Sequence, residues 1–412
     1  MNSSESNGDN RLMVDQLNSA LRGYLPELVE ISTALHENPE IRFEEEFACE
    51  TLSSALEEHG FEVKRGIGGL ETAFMGEWAP SDGDEDRVTV AVFCEFDALE
   101  EIGHACGHNI IATAGLGAAL LIKDFYEEKP SGREKVYLKV IGSPGEEGGA
   151  GKVPLIDAGV LDGVDFAVMV HPYGEDQVGG ISMARVAIDV EFVGRASHAA
   201  AAPDKGVNAL DAATLSLSAI GLLRQQLRDE TRVHSIITDG GQAPNIIPEH
   251  TSIRTFVRSF DQDYLLGEVV PRVEDCFRGA GLATGCEVEI RQVTPPYLSM
   301  NPNPTMSKLV EKNFELLGRK PELLPRMTGS TDMANVSHVV PAIHPMISLE
   351  AGLNPHTREF AGAAIGPNMS NTIGDGALLL ALTSIEIIED KALLGSVQEE
   401  FQKSKGTEGN GG

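Results

Sequence analysis

The sequence predicts an α/β protein in which a smaller α+β domain is inserted into a larger domain. Three observations predict it. Apolar strands repeatedly run into a polar residue and then a helix, as RVTVAVFCEF does before His108 and VDFAVMV does at His171. This alternation is typical of α/β sheets, which collect function at the carboxyl ends of their strands. Near Gly179 the pattern changes to strands and helices in the order βαββαβ, and it resumes near Thr305.

Taken in order, the first elements are two helices, one from near Leu12 to Pro39 and one through FACETLSSALEEHG with Gly60 as its C-cap. FEVKRGI and ETAFMGEW are predicted as neighbouring strands, and RVTVAVFCEF as a buried strand. A helix over 109–126, the strand KVYLKVIGS, the short helix LIDAGVL and the strand VDFAVMV complete this part.

The inserted part begins with the strand VAIDVEFVG and the helix VNALDAATLSLSAIGLLRQQL. RVHSIITDG and TSIRTFVRS are predicted as strands, followed by the helix DYLLGEVVPRVEDCFRGAG and the strand CEVEIRQV. This order resembles a ferredoxin-like module. We therefore expect a first part of the larger domain at 11–183, an inserted domain at 184–298 and a second part of the larger domain at 299–400, with disorder before 11 and after about Gln402.

The bulk composition restricts the class of partner. With 63 acidic against 32 basic residues, the net charge of −31 disfavours nucleic acid and anionic membranes, so we expect neither as a partner. No window of about 18 apolar residues predicts a membrane span, and the start, MNSSESNGDN, does not read as a secretory signal. Five cysteines in a large chain indicate free thiols in a reducing compartment, so we expect a cytoplasmic protein.

The segment GHACGH carries the first candidate metal ligands, His104, Cys106 and His108. Cys106 and His108 stand two positions apart, on the same side of an extended segment. Thiolate and imidazole suit Zn²⁺, Mn²⁺, Co²⁺ or Ni²⁺. A buried thiol beside a histidine at a helix start is the alternative interpretation.

Four further candidates follow other predicted strands. Glu146 and Glu147 lie in the bend GSPGEEGG, where adjacent side chains diverge, so that one carboxylate can bind a cation while the other acts as a general base. His171 follows VDFAVMV, and His356 lies in NPHTREF. Two metals that share a bridging ligand are a known arrangement in hydrolytic aminopeptidases.

Other polar residues are candidates for contacting a substrate. In the inserted domain His198 and Asn245 could donate to an oxyanion, and Arg258 could bind a carboxylate. The loop TGSTDMANVSHVVP offers further donors, namely Ser330, Thr331 and Asn335. The chain contains no G-x-S-x-G elbow and no Walker loop, so nucleophilic serine catalysis and phosphate-loop chemistry lack support.

The motifs HENPE, DAL with GHACGH, GEEGG, HP, SH with GVNAL, NIIP and PHTREF occur in this order between Leu12 and Asp390. The set resembles the metal-dependent amidohydrolases of the aminoacylase and carboxypeptidase type. The resemblance is to the branch with a cysteine ligand, which includes hippurate hydrolase, indole-acetyl-amino-acid hydrolases and aminobenzoyl-glutamate hydrolase. It implies a di-metal, peptidase-like catalytic domain with a mixed sheet, and an inserted domain that acts as a lid and a dimerisation surface.

The resemblance also implies roles for individual residues. Glu146 would be the general base that activates a water, and Asp97 and His104 would lie behind the ligands. The implied ligands of one or two divalent metals, Mn²⁺ or Zn²⁺ with Co²⁺ or Ni²⁺ as further options, are Cys106 as the bridge, His108 and His171 for one metal, and Glu147 and His356 for the other. His198 and Asn245 would stabilise the oxyanion across a homodimer, and Arg258 would hold a substrate carboxylate.

The expected activity is hydrolysis of a C–N bond, most simply the amide of an N-acyl or N-aryl amino acid or of a dipeptide. The branch usually has Asp after GH where this chain has Asn109, so the substrate is open. Hydrolytic deamination of an aromatic amine such as a nitroanthranilate is the second interpretation. A binding protein without catalytic activity is the third, and the complete set of candidate ligands argues against it.

Overall fold

A computed structural model describes residues 3–79, 87–128, 136–323, 326–327 and 329–408. The chain forms two compact units. The first comprises Met1–Ile181, Met300–Met327 and Thr331–Gly412, and the second comprises Ser182–Ser299 and Thr328–Ser330. The predicted insertion at 184–298 falls inside the second unit.

The helices in the described ranges are α1 (Ser3–Glu37), α2 (Glu46–Glu58), α3 (His108–Glu128), α4 (Glu146–Gly149), α5 (Lys152–Asp157), α6 (Ala209–Leu223), α7 (Gln262–Tyr264, continued by a π-helical turn Leu265–Val269), α8 (Val270–Thr284), α9 (Pro304–Leu316), α10 (Met333–Ser337), α11 (Arg358–Ala363), α12 (Met369–Glu389) and α13 (Lys391–Glu408). The strands are β1 (Glu62–Arg65), β2 (Phe74–Trp78), β3 (Val88–Glu95), β4 (Val136–Ser143), β5 (Phe166–Val168), β6 (His171–Tyr173), β7 (Ala184–Val193), β8 (Arg232–Asp239), β9 (His250–Ser259), β10 (Glu287–Gln292), β11 (Ala342–Ile343) and β12 (Met346–Ser348).

The first unit is built on a six-stranded sheet with the order β1-β2-β4-β3-β5-β11. β3 pairs in parallel with β4 and β5, and β5 with β11, whereas β2 is antiparallel to β1 and β4. The sheet is therefore mixed. Every residue of β3 is buried, which explains its continuous apolar sequence, since a strand covered on both faces has no solvent side.

Two long helices, α3 and α12, pack against each other in the core of this unit through small residues. A side chain at Gly117 would meet Ala377, and one at Gly376 would meet Ala114, so both positions require close approach of the backbones. Within the described residues, α12 alone has the length and apolarity of a membrane span, and 83% of its apolar window is buried inside the unit. Burial to this extent is typical of the core helix of a folded unit.

The second unit has one four-stranded antiparallel sheet with the order β10-β7-β9-β8. This is the strand order of a ferredoxin-like module. Alternate residues such as Val190 and Ile253 form a core with α6 and α8, which cover one face. Residues of the opposite alternation, such as Arg254, point away from that core, so the other face of the sheet has no helix of this unit on it.

The expected disorder near the termini is wrong for most of the residues concerned. Helix α1 begins at Ser3 and α13 continues to Glu408. Both helices are anchored by buried residues in their packed parts, Leu17 and Leu28 in α1 and Val397 and Phe401 in α13. The last four residues of the predicted tail lie outside the described part of the chain.

Candidate metal centre

The site forms where two neighbouring parallel strands end. Glu95, the last residue of β3, is paired in register with Ser143, the last residue of β4. The segments that follow, one with Asp97 and one with Glu146 and Glu147, therefore leave the sheet at the same edge.

Asp97 organises two of these segments. Its Oδ1 accepts a hydrogen bond from His108 Nδ1 at 3.0 Å, and its carboxylate also accepts the backbone N–H groups of Glu146 at 3.1 Å and Glu147 at 2.8 Å. With the proton on Nδ1, the Nε2 atom of His108 keeps its lone pair. This Nε2 is buried and has no hydrogen-bond partner among the described residues. A carboxylate that orients a histidine in this way is typical of metal sites.

Cys106 and His171 meet in a second contact. The Cys106 Sγ and His171 Nε2 atoms are 3.4 Å apart, while His171 Nδ1 donates to the carbonyl of Pro172 at 2.7 Å. The lone pair of His171 therefore also points toward the cysteine. Between the two candidate ligands of the GHACGH segment, Gly107 has a φ of +77°, and a Cβ there would lie 2.6 Å from Pro172. Only glycine permits this turn.

Glu147 and His356 form the third contact, with Oε1 and Nε2 3.1 Å apart. His356 has a left-handed backbone with a φ of 66°, which is uncommon for residues other than glycine. Its backbone N–H donates to the carbonyl of Ala105 at 2.8 Å. That bond ties the exposed His356 to the segment that carries Cys106.

Cys106 belongs to two sets of possible ligands, one with His108 and His171 and one with Glu147 and His356. In each set the ligand atoms lie within 4.8 Å of one another. Thiolate, imidazole and carboxylate together suit divalent ions such as Zn²⁺ or Mn²⁺. The buried His108 Nε2, which has no hydrogen-bond partner among the described residues, fits such an ion, and so does the His171 Nε2, whose lone pair faces the Cys106 thiol.

The two adjacent glutamates differ in proton affinity. Burial, followed by the charges of Glu95 and Glu147, raises the pKa of Glu146 well above its usual range. Burial also acts to raise the pKa of Glu147, but the neighbouring groups, first among them His356 through its hydrogen bond, outweigh it and lower this pKa to about 2. Glu146 is thus suited to hold and release a proton, and Glu147 to remain anionic.

A buried charge cluster beside Glu146 was missed by the sequence analysis. The Lys152 ammonium is fully buried and is bound by Glu95 and by Asp332 Oδ1, the latter at 2.7 Å, while Lys152 N donates to Asp332 Oδ2 at 3.0 Å. Burial lowers the pKa of Lys152, but the charges of Asp332 and Glu95 outweigh it and raise this pKa. Carboxylate oxygens of Glu95, Glu146 and Asp332 lie within 4.8 Å of one another. The one indication of this cluster in the sequence is Glu95, a charged residue at the end of a buried strand.

Two further histidines lie near the site but belong to neither ligand set on Cys106. His104 is buried, stacks on His36 with ring centroids 6.1 Å apart, and burial lowers its pKa to about 3. His344 is buried 5.8 Å from the His171 ring, and neither of its nitrogens has a hydrogen-bond partner in the described residues. The sequence analysis missed His344, although HPM repeats the strand-His-Pro pattern of His171.

Asn109, the position at which this chain differs from the usual Asp of the branch, makes hydrogen bonds within the fold. Its amide nitrogen donates to the Ser32 hydroxyl at 2.9 Å and to the carbonyl of Ala364 at 3.0 Å. It therefore holds α1 and the end of α11 together. These contacts give no support to a role in substrate choice.

In the second unit, His198 and Asn245 are exposed neighbours, since Ala199 N donates to the carbonyl of Asn245 at 3.0 Å. His198 Nδ1 accepts the backbone N–H groups of Ala200 at 3.2 Å and Ala201 at 3.1 Å. A neutral imidazole held in this way carries its proton on Nε2. The His198 side chain is thus a fixed hydrogen-bond donor.

The remaining predicted substrate contacts are divided between the two units. Arg258 Nη1 donates to the Ser330 hydroxyl at 2.9 Å, and both residues belong to the second unit. Thr331 and Asn335 belong to the first unit, where the Thr331 hydroxyl accepts the backbone N–H of Met333 at 3.1 Å at the start of α10. Asn335 is buried in that helix.

Known proteins are similar to this chain in sequence. A family model described as peptidase family M20/M25/M40 matches residues 80–363. The mouse Xaa-Arg dipeptidase is 38% identical over 90% of this chain and 88% of its own length. One of the p-aminobenzoyl-glutamate hydrolase chains of Escherichia coli is 32% identical over 64% of this chain and 56% of its own length.

Solved structures have the same fold at low sequence identity. A dinuclear metal-binding peptidase of family M20 from Bacillus subtilis has a TM-score of 0.64 at 21% identity, covering 89% of this chain and 99% of its own. The aminobenzoyl-glutamate utilization protein of Klebsiella pneumoniae has a TM-score of 0.67, also at 21% identity, covering 88% and 98%. The extent of the family match and the identity to the dipeptidase establish that the chain belongs to peptidase family M20/M25/M40 and is a hydrolase.

Proposed function

We propose that the protein is a metal-dependent hydrolase that cleaves the amide of a dipeptide or of an N-acyl or N-aryl amino acid. The observation that carries this proposal is the pairing of two ligand sets on Cys106 with a neighbouring carboxyl, Glu146, whose pKa is raised. The Xaa-Arg dipeptidase and the p-aminobenzoyl-glutamate hydrolase, whose names both describe cleavage next to an amino acid, support this substrate class.

The ligand sets define which residues would hold the metals. His108 and His171 would be ligands of one ion, and Glu147 and His356 would be ligands of the other. Cys106 belongs to both sets. A bound divalent ion would supply Lewis acidity, which makes a water molecule easier to deprotonate. Asp97 would keep His108 in the tautomer that offers Nε2 to the ion.

Glu146 would move the proton. As a carboxylate it would accept a proton from the attacking water, and its raised pKa would let it keep that proton until the amine leaves. The same carboxyl would then donate the proton to the departing nitrogen. Its buried position excludes competing water from the carboxyl.

His198 and Asn245 would donate hydrogen bonds to the oxyanion that forms on the scissile carbonyl. The fixed Nε2 proton of His198 supports this role. We propose that the protein forms a homodimer through the second unit and that these two donors serve the partner's site. We also propose a cytoplasmic location, because all five cysteines are free thiols.

Product analysis on a substrate panel tests the proposal. The full chain, loaded with Zn²⁺ or Mn²⁺, would be assayed against dipeptides, acyl-amino acids, aminobenzoyl-glutamate and nitroaromatic amines. We expect a free amino acid as a product, and no turnover after treatment with a chelator. Ammonia without release of an amino acid would instead establish deamination, and turnover that survives chelation would contradict the metal requirement.

A further inference from the structure

Three buried carboxylates lie together beside the candidate metal centre. They belong to Glu95 at the end of β3, Glu146 in α4 and Asp332 directly before α10, and their oxygen atoms lie within 4.8 Å of one another. We call this group the carboxylate triad. Like charges this close repel one another, and water does not screen them in a buried region. The triad therefore needs a cation beside it.

That cation is a lysine of the same chain. The fully buried Lys152 ammonium is bound by Glu95 and, at 2.7 Å, by Asp332 Oδ1. The backbone N–H of Lys152 donates to the other oxygen of Asp332 at 3.0 Å. The ammonium also lies 5.7 Å from the centroid of the Phe93 ring. Lys152 is thus fixed both at its backbone and at its charged end.

The triad without its lysine would have the ligands of a divalent ion. A set made of carboxylate oxygens alone suits Mg²⁺, Ca²⁺ or Mn²⁺. Mn²⁺ also suits the two ligand sets on Cys106, so an ion that loads the metal centre would also be attracted by the triad. The Lys152 ammonium occupies this place, because its bonds engage an oxygen of Glu95 and an oxygen of Asp332.

Glu146 connects the triad to the candidate metal centre. It forms one group of possible ligands with His108 and Glu147, and another with the two other members of the triad. An ion in the triad would therefore have Glu146 within reach as a ligand. A carboxylate held in this way would be lost to proton transfer.

We propose that Lys152 is a built-in cation that keeps divalent ions out of the carboxylate triad and so leaves Glu146 available for proton transfer. In this role Lys152 is a positioning residue, since it acts through Glu146. The exclusion of ions concerns metal binding alone. Its consequence for Glu146 rests on the proposed function.

Metal counting tests the exclusion. Lys152→Ala removes the ammonium and leaves room for an ion. After treatment with a chelator and titration with Mn²⁺, calorimetry and elemental analysis should show about two ions per wild-type chain and one more in Lys152→Ala. Lys152→Ala/Asp332→Asn, which lacks one carboxylate of the triad, should return to the wild-type number. Lys312→Met is the matched control, because Lys312 pairs with Glu386 where it is 40% exposed, and it should also keep the wild-type number.

The folding of Lys152→Ala gives a second readout, because the variant leaves buried charge without its counterion. An additional ion in the triad would replace the ammonium. The melting temperature of Lys152→Ala should therefore rise with Mn²⁺ concentration by more than that of the wild type. A variant that fails to fold even in millimolar Mn²⁺, or that folds and binds no additional ion, would refute the exclusion.

A kinetic measurement separates this inference from the proposed function. Raising Mn²⁺ past saturation of the ligand sets on Cys106 should lower kcat of Lys152→Ala by about 10²-fold or more, as the loss of a general base does. Wild type and Lys312→Met should be unaffected, and a lysine that only supports the fold would lower kcat equally at every Mn²⁺ concentration. If Lys152→Ala binds the additional ion and the wild type cleaves no amide, the exclusion stands and the proposed function fails. If the wild type cleaves amides and excess Mn²⁺ does not inhibit Lys152→Ala, the role of Lys152 is refuted.

Discussion

The two units present their candidate functional residues in different ways. In the first unit Cys106, His108 and Glu146 are buried, and His108 is held by Asp97. In the second unit His198 and Asn245 are exposed, and Arg258 has one neutral hydrogen-bond partner among the described residues. Buried, fully held groups are arranged before the substrate arrives, which favours stabilising charge in a transition state. A cation with one neutral hydrogen-bond partner, such as Arg258, is suited to binding an anion.

The same contrast applies to charge. Beside Glu146, the Lys152 ammonium is surrounded by carboxylates in a buried region, so its removal would leave buried charges unpaired. In the second unit Arg185, Arg258 and Arg232 stand side by side on the sheet face without helices, and no ion pair joins them to a carboxylate in the described ranges. Substitutions in the first unit should therefore affect chemistry and stability together. Substitutions in the second unit should affect binding and rate with little effect on folding.

The largest effect is expected at Glu146. Glu146→Gln keeps the shape of the side chain but cannot accept a proton, so kcat should fall by about 10²- to 10⁴-fold. Elemental analysis should show unchanged metal content, because the five proposed ligands remain. Glu147→Gln is the matched comparison one residue away, and it should lose metal as well as activity. Retention of wild-type kcat in Glu146→Gln would remove this residue from the mechanism.

The next effect concerns His198 in the second unit. His198→Ala should lower kcat by about 10²-fold, the loss typical of one oxyanion donor, without changing the melting temperature. Mixing refolded Glu146→Gln and His198→Ala chains tests whether the donor comes from the partner. In a symmetric dimer such mixtures should recover about a quarter of wild-type activity, because half of the dimers contain one complete site. No recovery would place the donor and the base on the same chain.

A third prediction concerns stability at Lys152. Lys152→Met should lower the free energy of unfolding by about 3–5 kcal/mol, because Glu95 and Asp332 would remain charged and buried without a counterion. The double variant Lys152→Met/Asp332→Asn should regain part of that loss. Lys312→Met is the control, since the Lys312 side chain is 40% exposed where it pairs with Glu386. Denaturant titration measures these free energies of unfolding. Equal losses in Lys152→Met and Lys312→Met would contradict the expected difference between a buried and a partly exposed ion pair.

The smallest effect is expected at Arg254. Its ion pair with Asp189 lies on the open sheet face, where the Arg254 side chain is 47% exposed. Solvent screening limits such pairs to about 1 kcal/mol or less. Arg254→Ala should therefore change the free energy of unfolding by at most that amount, as measured by denaturant titration. A larger loss of unfolding free energy would contradict the view that ion pairs on this sheet face are screened by solvent.

The elements that could be predicted from the sequence are those that depend on a local residue pattern. The buried β3, the helix after GHACGH and the strand order of the inserted module follow from periodicity and from short motifs that lie close together in the chain. The mixed α/β sheet was expected and is present. Candidate residues at strand ends could be named because parallel strands bring their carboxyl ends to one edge.

Contacts between distant segments could not be predicted in this way. Lys152 looks like an ordinary surface lysine in sequence, and only the fold brings it to Asp332, 180 positions later. The same holds for Asn109, whose amide faces a residue in α1 and another at the end of α11. The alignment of Arg185, Arg258 and Arg232 depends on the register of three strands, and a one-residue shift would destroy it.

The central claim is that Cys106 is shared by two divalent ions needed for hydrolysis. The most direct test is elemental analysis, with activity measured in parallel, of wild-type and Cys106→Ser chains stripped by a chelator and reloaded with Zn²⁺ or Mn²⁺. We predict about two ions per wild-type chain, loss of activity on stripping, recovery on reloading, and loss of both ions and activity in Cys106→Ser. Full activity in the stripped wild-type chain, or unchanged metal content in Cys106→Ser, would contradict the claim.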